Sequence, residues 1–149
     1  MTGPAILLFH GRGILSALVR WQTRSRWSHA ALLLPDGKTI IEAWPGKGVQ
    51  QKTITDWAGV EAFDLDLTEG QWANAIAFAR SKIGCGYDYL GVARFLTRRE
   101  RDNPARWFCS ELVFAALDRA NAPPLARIKA WAVSPELLAI SPCLFPKVG

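Results

Sequence analysis

The chain has 149 residues, of which 50% are hydrophobic and 21% charged, so it is long enough for one domain and too apolar to be intrinsically disordered. Lys and Arg outnumber Asp and Glu by 18 to 13, a formal charge of +5 that permits an anionic partner without requiring one. Three cysteines are too few for a disulfide scaffold and indicate a reducing compartment. No apolar run approaches the roughly 18 residues of a membrane span, and the N-terminus lacks a basic signal-peptide start, so we expect a cytoplasmic protein.

The first half of the chain predicts mainly strands. Residues 4–10 form an apolar run typical of a buried strand, and residues 14–22 have the apolar spacing of a short helix. The runs WSHAALLL and TIIEAW are separated by Pro-Asp-Gly-Lys, and Asp-Gly between apolar runs predicts a β-hairpin. Residues 60–67 alternate between apolar and acidic side chains, which predicts a further strand.

The second half predicts mainly helices. Thr68 and Gln71 have the spacing of a capping box, which opens a helix that Gly84 ends. Residues 109–120 carry a helical apolar stripe. Three shorter segments complete the prediction: a helical or turn region at 87–96, a charged exposed loop at 97–106, and a short helix opened by Ser134 and Pro135. Strands and helices that mix without regular alternation predict an α+β fold in one domain, residues 1–149, with a central antiparallel sheet packed against helices.

The hairpin turn sets the register of its two strands. Whether the turn is counted as two or four residues, His29 lies opposite Trp44 and Ala31 lies opposite Glu42. Because side chains alternate along a strand, His29 and Glu42 share a face as diagonal neighbours, about 7–8 Å apart at Cα. Trp27 and Trp44 point to the same face. A single His or Glu in a strand is usually a structural residue, but a His and a Glu that share one face among apolar residues indicate a site.

Cys109 begins the second long predicted helix. A thiol at a helix N-terminus lies near backbone N–H groups that favour the thiolate, and a neighbouring imidazole would add to this effect. A free cysteine on an apolar stripe also packs well as a small hydrophobic residue, so both interpretations stay open. Cys85 and Cys143 occupy no comparable position. No cysteine is spaced from His10 or His29 as in known zinc sites, so we expect no metal cofactor.

Five motifs in this order, WSHAALLL, IIEAWPG, GYDYLG, WFCSELV and SPELL, resemble the circularly permuted branch of the NlpC-like, papain-superfamily cysteine hydrolases, which includes YiiX-like proteins. The resemblance covers nearly the whole chain and implies a permuted papain-like fold with the nucleophile at a helix N-terminus. It implies Cys109 as the nucleophile, His29 as general base and acid, and Glu42 as the residue that orients the imidazole. In the unpermuted family the cysteine precedes the histidine, whereas here His29 precedes Cys109.

The same resemblance implies residues that bind substrate. Tyr87 matches a tyrosine that lines the cleft near the nucleophile, and Ser110 follows the nucleophile as it does in the unpermuted relatives. We also expect Trp27, Trp44 and Trp107 to wall the cleft and to exclude water.

These observations leave several functions open. The first is hydrolysis of an amide or related acyl bond in a small peptide-like or acyl substrate, through a Cys109 acyl-enzyme. The second keeps the same triad but acts on lipid acyl groups, as an acyltransferase or phospholipase, with the basic segments 20–26 and 94–106 against an anionic membrane surface. The third is a non-catalytic binding module. Nucleic acid is not an expected partner, since basic and acidic residues interleave and no nucleic-acid motif is present; the oligomeric state stays open.

Overall fold

The structure is a computed structural model that describes residues 3–11, 26–89 and 104–147. Within these residues, six strands form one sheet in which all neighbours are antiparallel. They are β1 (Ala5–Phe9), β2 (His29–Leu33), β3 (Thr39–Trp44), β4 (Gly48–Thr53), β5 (Val60–Asp64) and β8 (Phe145–Pro146), in the spatial order β4-β3-β2-β1-β5-β8. Two further strands, β6 (Gly86–Tyr87) and β7 (Arg106–Trp107), form a short parallel pair.

The described residues also form three α-helices. They are α1 (Glu69–Ser81), α2 (Cys109–Arg119) and α3 (Pro135–Ala139), with a 3-10 turn at Ala130–Ala132. This architecture confirms the predicted α+β class and its antiparallel sheet.

The helix ends follow the local sequence signals. The Thr68 hydroxyl accepts the Gln71 backbone N–H at 3.2 Å, and the Gln71 side chain accepts the Thr68 N–H at 3.0 Å, which is the predicted capping box. Gly84 adopts a φ of +94° just beyond α1, as its predicted role at the helix end requires. At α3 the Ser134 hydroxyl accepts a backbone N–H of the first turn, and Pro135 is the first helical residue.

β1 and β2 lie in the middle of the sheet and are apolar on both faces. Ile6 and Leu8 belong to a core that residues of α1 and α2 complete. Leu7 belongs to a second core on the other face, where Ile54 and Trp57 pack from the connection between β4 and β5. Because both faces are buried, AILLF in β1 and the AALL that follows His29 in β2 are continuous apolar runs rather than alternating ones.

β4 is a strand that the sequence pattern did not predict. It lies at the edge of the sheet, and only Gly48 and Val49 of its residues are buried. An edge strand with polar, exposed side chains carries little apolar alternation, so the sequence GVQQKT gave no strand signal. The strand predicted at 60–67 is shorter than expected, because it ends at Asp64, whose carboxylate accepts the Leu65 N–H.

The remaining predictions fall partly outside the described residues. Tyr87 belongs to β6 rather than to the helix or turn predicted at 87–96. The helix predicted at 14–22 and most of the loop at 97–106 lie outside the described residues. β6, β7 and β8 have two residues each, too few for a sequence pattern to indicate.

Candidate active site

The β2–β3 hairpin positions His29 and Glu42. Its backbone pairs Leu32 with Ile41, which confirms the predicted register. The backbone pairing lies at the turn end of the hairpin. Farther from the turn, the side chains of His29 and Glu42 form the contact between the two strands. His29 Nε2 lies 2.7 Å from a Glu42 carboxylate oxygen, the distance of a charge-assisted hydrogen bond.

Glu42 is buried, with 1% of its side chain exposed, and both of its oxygens accept hydrogen bonds. One oxygen binds His29, and the other lies 2.7 Å from Lys52 Nζ and 2.9 Å from Gln50 Nε2. Burial alone would raise the pKa of Glu42, but these three donors lower it to about 2. Glu42 is therefore ionised throughout the neutral and mildly acidic range.

His29 lies between Glu42 and the thiol of Cys109. Burial would lower the pKa of His29, but a hydrogen bond with Cys109, the charge on its sulfur, and the contact with Glu42 raise that pKa to about 9. The rings of Phe9 and Trp44 lie 5.1 and 5.0 Å from the imidazole ring and hold its orientation. The site therefore contains an imidazole that stays protonated through neutral pH.

Cys109 is the first residue of α2 and is 1% exposed. The Phe108 N–H donates to the Glu111 carboxylate at 3.1 Å, which caps the first turn. The Ser110 hydroxyl donates to the Val133 carbonyl at 2.6 Å and ties the start of the helix to the segment before α3. Ser110, predicted to contact substrate, is fully buried, and its hydroxyl is used in this anchoring contact. The sulfur lies at the start of α2, at the positive end of the helix dipole.

Tyr87, on β6, lies beside the same sulfur. Burial and the negative charge of Cys109 raise the pKa of Tyr87 well above its ordinary value, with smaller contributions from Tyr89 and Asp88. Its ring packs on those of Tyr89 and Phe108, with centroids 5.0 and 6.0 Å apart. Tyr87 therefore stays protonated and keeps its O–H donor.

Among the three tryptophans expected to wall the cleft, Trp44 alone reaches the site surface. It is 40% exposed, and its ring meets the imidazole of His29 edge to face. Trp27 is buried in the core, where its ring lies 4.0 Å from that of His10. Trp107 is buried against Phe78. Trp27 and Trp107 are therefore core side chains in the described part of the chain, and neither ring is exposed beside His29 as that of Trp44 is.

Three residues of the site were not identified from the sequence. Gln50 and Lys52 both donate to the second oxygen of Glu42 and lie on β4, which had no strand signal. Glu111 occupies the third position of α2, where an acidic side chain is a recognisable capping signal. Its position three residues after Phe108, the residue before the helix, could have indicated that role.

Two further findings concern the described residues. They contain no group of three or more His, Cys, Asp or Glu side chains arranged to hold a metal ion. They also contain no helix with the length and apolar character needed to cross a bilayer.

No protein-family model and no curated protein matches the chain. Among solved structures, it is similar to the metalloprotein YiiX (DUF1105) from Escherichia coli O157:H7, with a TM-score of 0.74 and 17% sequence identity. The similarity covers 99% of this chain and 96% of that one, so it extends over the whole fold. The chain therefore has a YiiX-like fold.

Proposed function

We propose that this chain is a cysteine-dependent hydrolase of permuted papain-like fold, which cleaves an amide or a related acyl bond. The observation that carries the proposal is the 2.7 Å contact between Glu42 and His29, together with the effect of Cys109, the first residue of α2, on the pKa of His29. A buried carboxylate, an imidazole and a thiol that follow one another in space form the arrangement that activates a sulfur nucleophile. A buried imidazole that stays charged beside Glu42 and Cys109 is more typical of a functional site than of a structural core.

The reaction follows from the protonation states of the three groups. The Cys109 thiolate attacks the substrate carbonyl, and the carbon–nitrogen or carbon–oxygen bond breaks as protonated His29 gives its proton to the leaving group. The product of this step is a thioester on Cys109 and a neutral imidazole. Water then attacks the thioester while His29 takes its proton, which releases the acid and restores the thiolate–imidazolium pair. Glu42 holds the Nε2 side of the ring in both steps.

Two donors are available for the oxyanion of the tetrahedral intermediate. The backbone N–H of Cys109 lies at the start of α2, and the Tyr87 hydroxyl stays protonated beside the sulfur. Loss of one such donor typically costs about 2.7–4 kcal/mol of transition-state stabilisation.

A metal-dependent reaction is the second candidate, because the structural neighbour is described as a metalloprotein. The side chains of this site do not fit a metal. Both oxygens of Glu42 already accept hydrogen bonds, and the Lys52 ammonium 2.7 Å away would repel a divalent cation. His29 likewise uses one ring nitrogen for Glu42 and the other side for Cys109. We therefore assign no step of the reaction to a metal.

Site-specific alkylation tests the proposed function. The purified protein is treated with iodoacetamide at about pH 6, where an ordinary thiol with a pKa of about 8.5 is almost wholly protonated, and peptide mapping gives the rate at each cysteine. We expect Cys109 to react faster than Cys143, although Cys109 is buried and Cys143 is exposed. The His29→Asn variant should lose this preference by about tenfold or more. Faster reaction at Cys143 in the parent protein, or an unchanged Cys109 rate in His29→Asn, would contradict the proposal.

A second measurement separates hydrolysis from acyl transfer. A protein acylated at Cys109 is mixed with water alone or with an added amine or alcohol acceptor, and the products are quantified. We expect the free acid in both cases. Transfer to the acceptor as the main product would assign the lipid-type acyltransferase alternative to the same triad.

A further inference from the structure

An open groove of about 560 Å³ lies next to Tyr87. It runs between the β3–β4 turn, which contains Gly46 and Lys47, and the segment that leads into β6, and Arg106 of β7 also borders it. The proposed reaction makes no use of this groove.

The groove is connected to the candidate active site at two points. Tyr87 lines it and also lies close enough to Cys109 for the charge on the sulfur to raise its pKa. The other connection is the β3–β4 turn, which follows directly after Trp44, the residue whose ring contacts His29. A substrate whose carbonyl lies at the sulfur can therefore extend along this groove.

Backbone contacts make the floor of the groove rigid. The Val49 N–H donates to the Cys85 carbonyl at 2.8 Å, and the Gly84 N–H donates to the Val49 carbonyl at 3.0 Å. Gly48 has a φ of +72°, and a Cβ built there would lie 2.1 Å from the Cys85 carbonyl oxygen. Only glycine allows the two segments to approach this closely, so the groove is a built feature rather than a gap between flexible loops.

The described residues that line the groove carry charge of one sign. Lys47 and Arg106 are exposed along it, and none of the described residues that line it is acidic. In the described part of the chain, no carboxylate lies within 4.0 Å of either cation. The nearby Lys52, by contrast, is 2.7 Å from Glu42 and is already neutralised. The Tyr89 hydroxyl accepts the Gly46 N–H at 2.6 Å, so its proton is left to donate into the groove.

We propose, building on the hydrolase function above, that this groove is a substrate subsite for an anionic group, a carboxylate or a phosphate, attached near the acyl bond that Cys109 attacks. Lys47 and Arg106 supply the charge, and the Tyr89 hydroxyl supplies a directional donor. Two exposed cations on one groove raise the local concentration of an anionic substrate and its rate of association.

Matched alkylating reagents test this subsite without knowledge of the natural substrate. N-bromoacetyl-ethanolamine is neutral, N-bromoacetyl-β-alanine adds a carboxylate at a similar distance, and N-bromoacetyl-ethanolamine phosphate adds a phosphate. Peptide mapping gives the rate of each reagent at Cys109 in the parent protein and in Lys47→Ala/Arg106→Ala. The control variant, Lys38→Ala/Arg119→Ala, removes the same charge at the far end of the β2–β3 hairpin and at the last residue of α2, about 15 Å along that helix from Cys109.

We expect at least one anionic reagent to modify Cys109 faster than the neutral one in the parent protein. This preference should fall by about fivefold in the groove variant, remain in the control variant, and disappear near 1 M salt, where the Debye length is about 3 Å. The anion with the larger preference identifies carboxylate or phosphate as the ligand. An unchanged preference in the groove variant, or an equal loss in the control, would overturn the subsite. If no reagent modified Cys109 in the parent protein, the hydrolase function would itself be contradicted, and the subsite with it.

Discussion

The chain offers a direct comparison of two histidine–glutamate pairs. It contains two histidines, and each lies beside one glutamate. His29 and Glu42 are buried at 2.7 Å, whereas His10 and Glu61 are 3.0 Å apart on the surface, with 33% and 46% of their side chains exposed. Substitution of Glu42 by glutamine keeps the shape of the side chain and removes its charge. The same change at Glu61 is the matched control.

The expected size of the effect follows from the surroundings of His29. Its pKa is raised from 6.5 to about 9 although burial acts to lower it, so Cys109 and Glu42 together supply more than the whole shift. A neighbouring opposite charge typically contributes about 1–3 pKa units, or about 1.4 kcal/mol per unit. We therefore expect the pKa of His29 to fall by at least about one unit in Glu42→Gln and to remain near 9 in Glu61→Gln.

NMR titration of the imidazole carbon–proton signals between about pH 5 and 10 measures this value directly. With two histidines in the chain, one His10→Asn spectrum assigns both signals. A His29 signal that titrates near 6.5 in the parent protein would refute the reasoning, because the sulfur and the carboxylate would then not be acting on the ring. A pKa that does not change in Glu42→Gln would show that Glu42 has no electrostatic role.

Three further predictions concern stability and rate. The raised pKa of His29 stabilises the fold fully below pH 6.5, and this stabilisation is lost as pH rises through about 9. The free energy of unfolding, measured by denaturant titration, should therefore fall by about 3 kcal/mol across this interval. If the parent protein and His29→Asn showed the same dependence on pH, the proposed charge on His29 would be contradicted. Tyr87→Phe should lower kcat for an amide substrate by about 100-fold while the alkylation rate of Cys109 stays near that of the parent, and an undiminished kcat would remove Tyr87 from the oxyanion site. Gly48→Ala should lower Tm, because its Cβ would clash with the Cys85 carbonyl oxygen, whereas Gly70→Ala, whose Cβ would have its nearest neighbour 4.0 Å away, should not lower Tm. Equal Tm values for the two variants would mean that the segments around Gly48 and Cys85 are not closely packed.

Local sequence signals were sufficient for the hairpin and the helix ends. Asp-Gly specified the turn, the turn specified the register, and the register placed His29 and Glu42 on one face, as their 2.7 Å contact shows. Thr68 and Ser134 likewise cap their helices as their spacing predicts, because capping depends only on residues within one turn.

Contacts between distant segments were not predictable in the same way. Nothing near Cys109 in the sequence places its sulfur beside His29, and only the resemblance of the ordered motifs linked the two. Lys52 lies on an edge strand with no apolar pattern, so its contact with Glu42 had no local signal. The buried positions of Trp27 and Trp107 depend on which core surrounds them, which composition does not reveal.

The most direct test of the central claim is to trap the acyl-enzyme. The protein is mixed with an activated acyl donor, such as a p-nitrophenyl ester, quenched in acid, and digested for mass spectrometry of the peptides that contain each cysteine. We predict an acyl group on the Cys109 peptide that disappears within the turnover time of the parent protein and persists in His29→Asn, because that variant has no base to activate water. Acyl groups found on Cys85 or Cys143 instead, or an adduct at Cys109 that is lost equally fast in both proteins, would contradict a mechanism in which this sulfur and this imidazole act together.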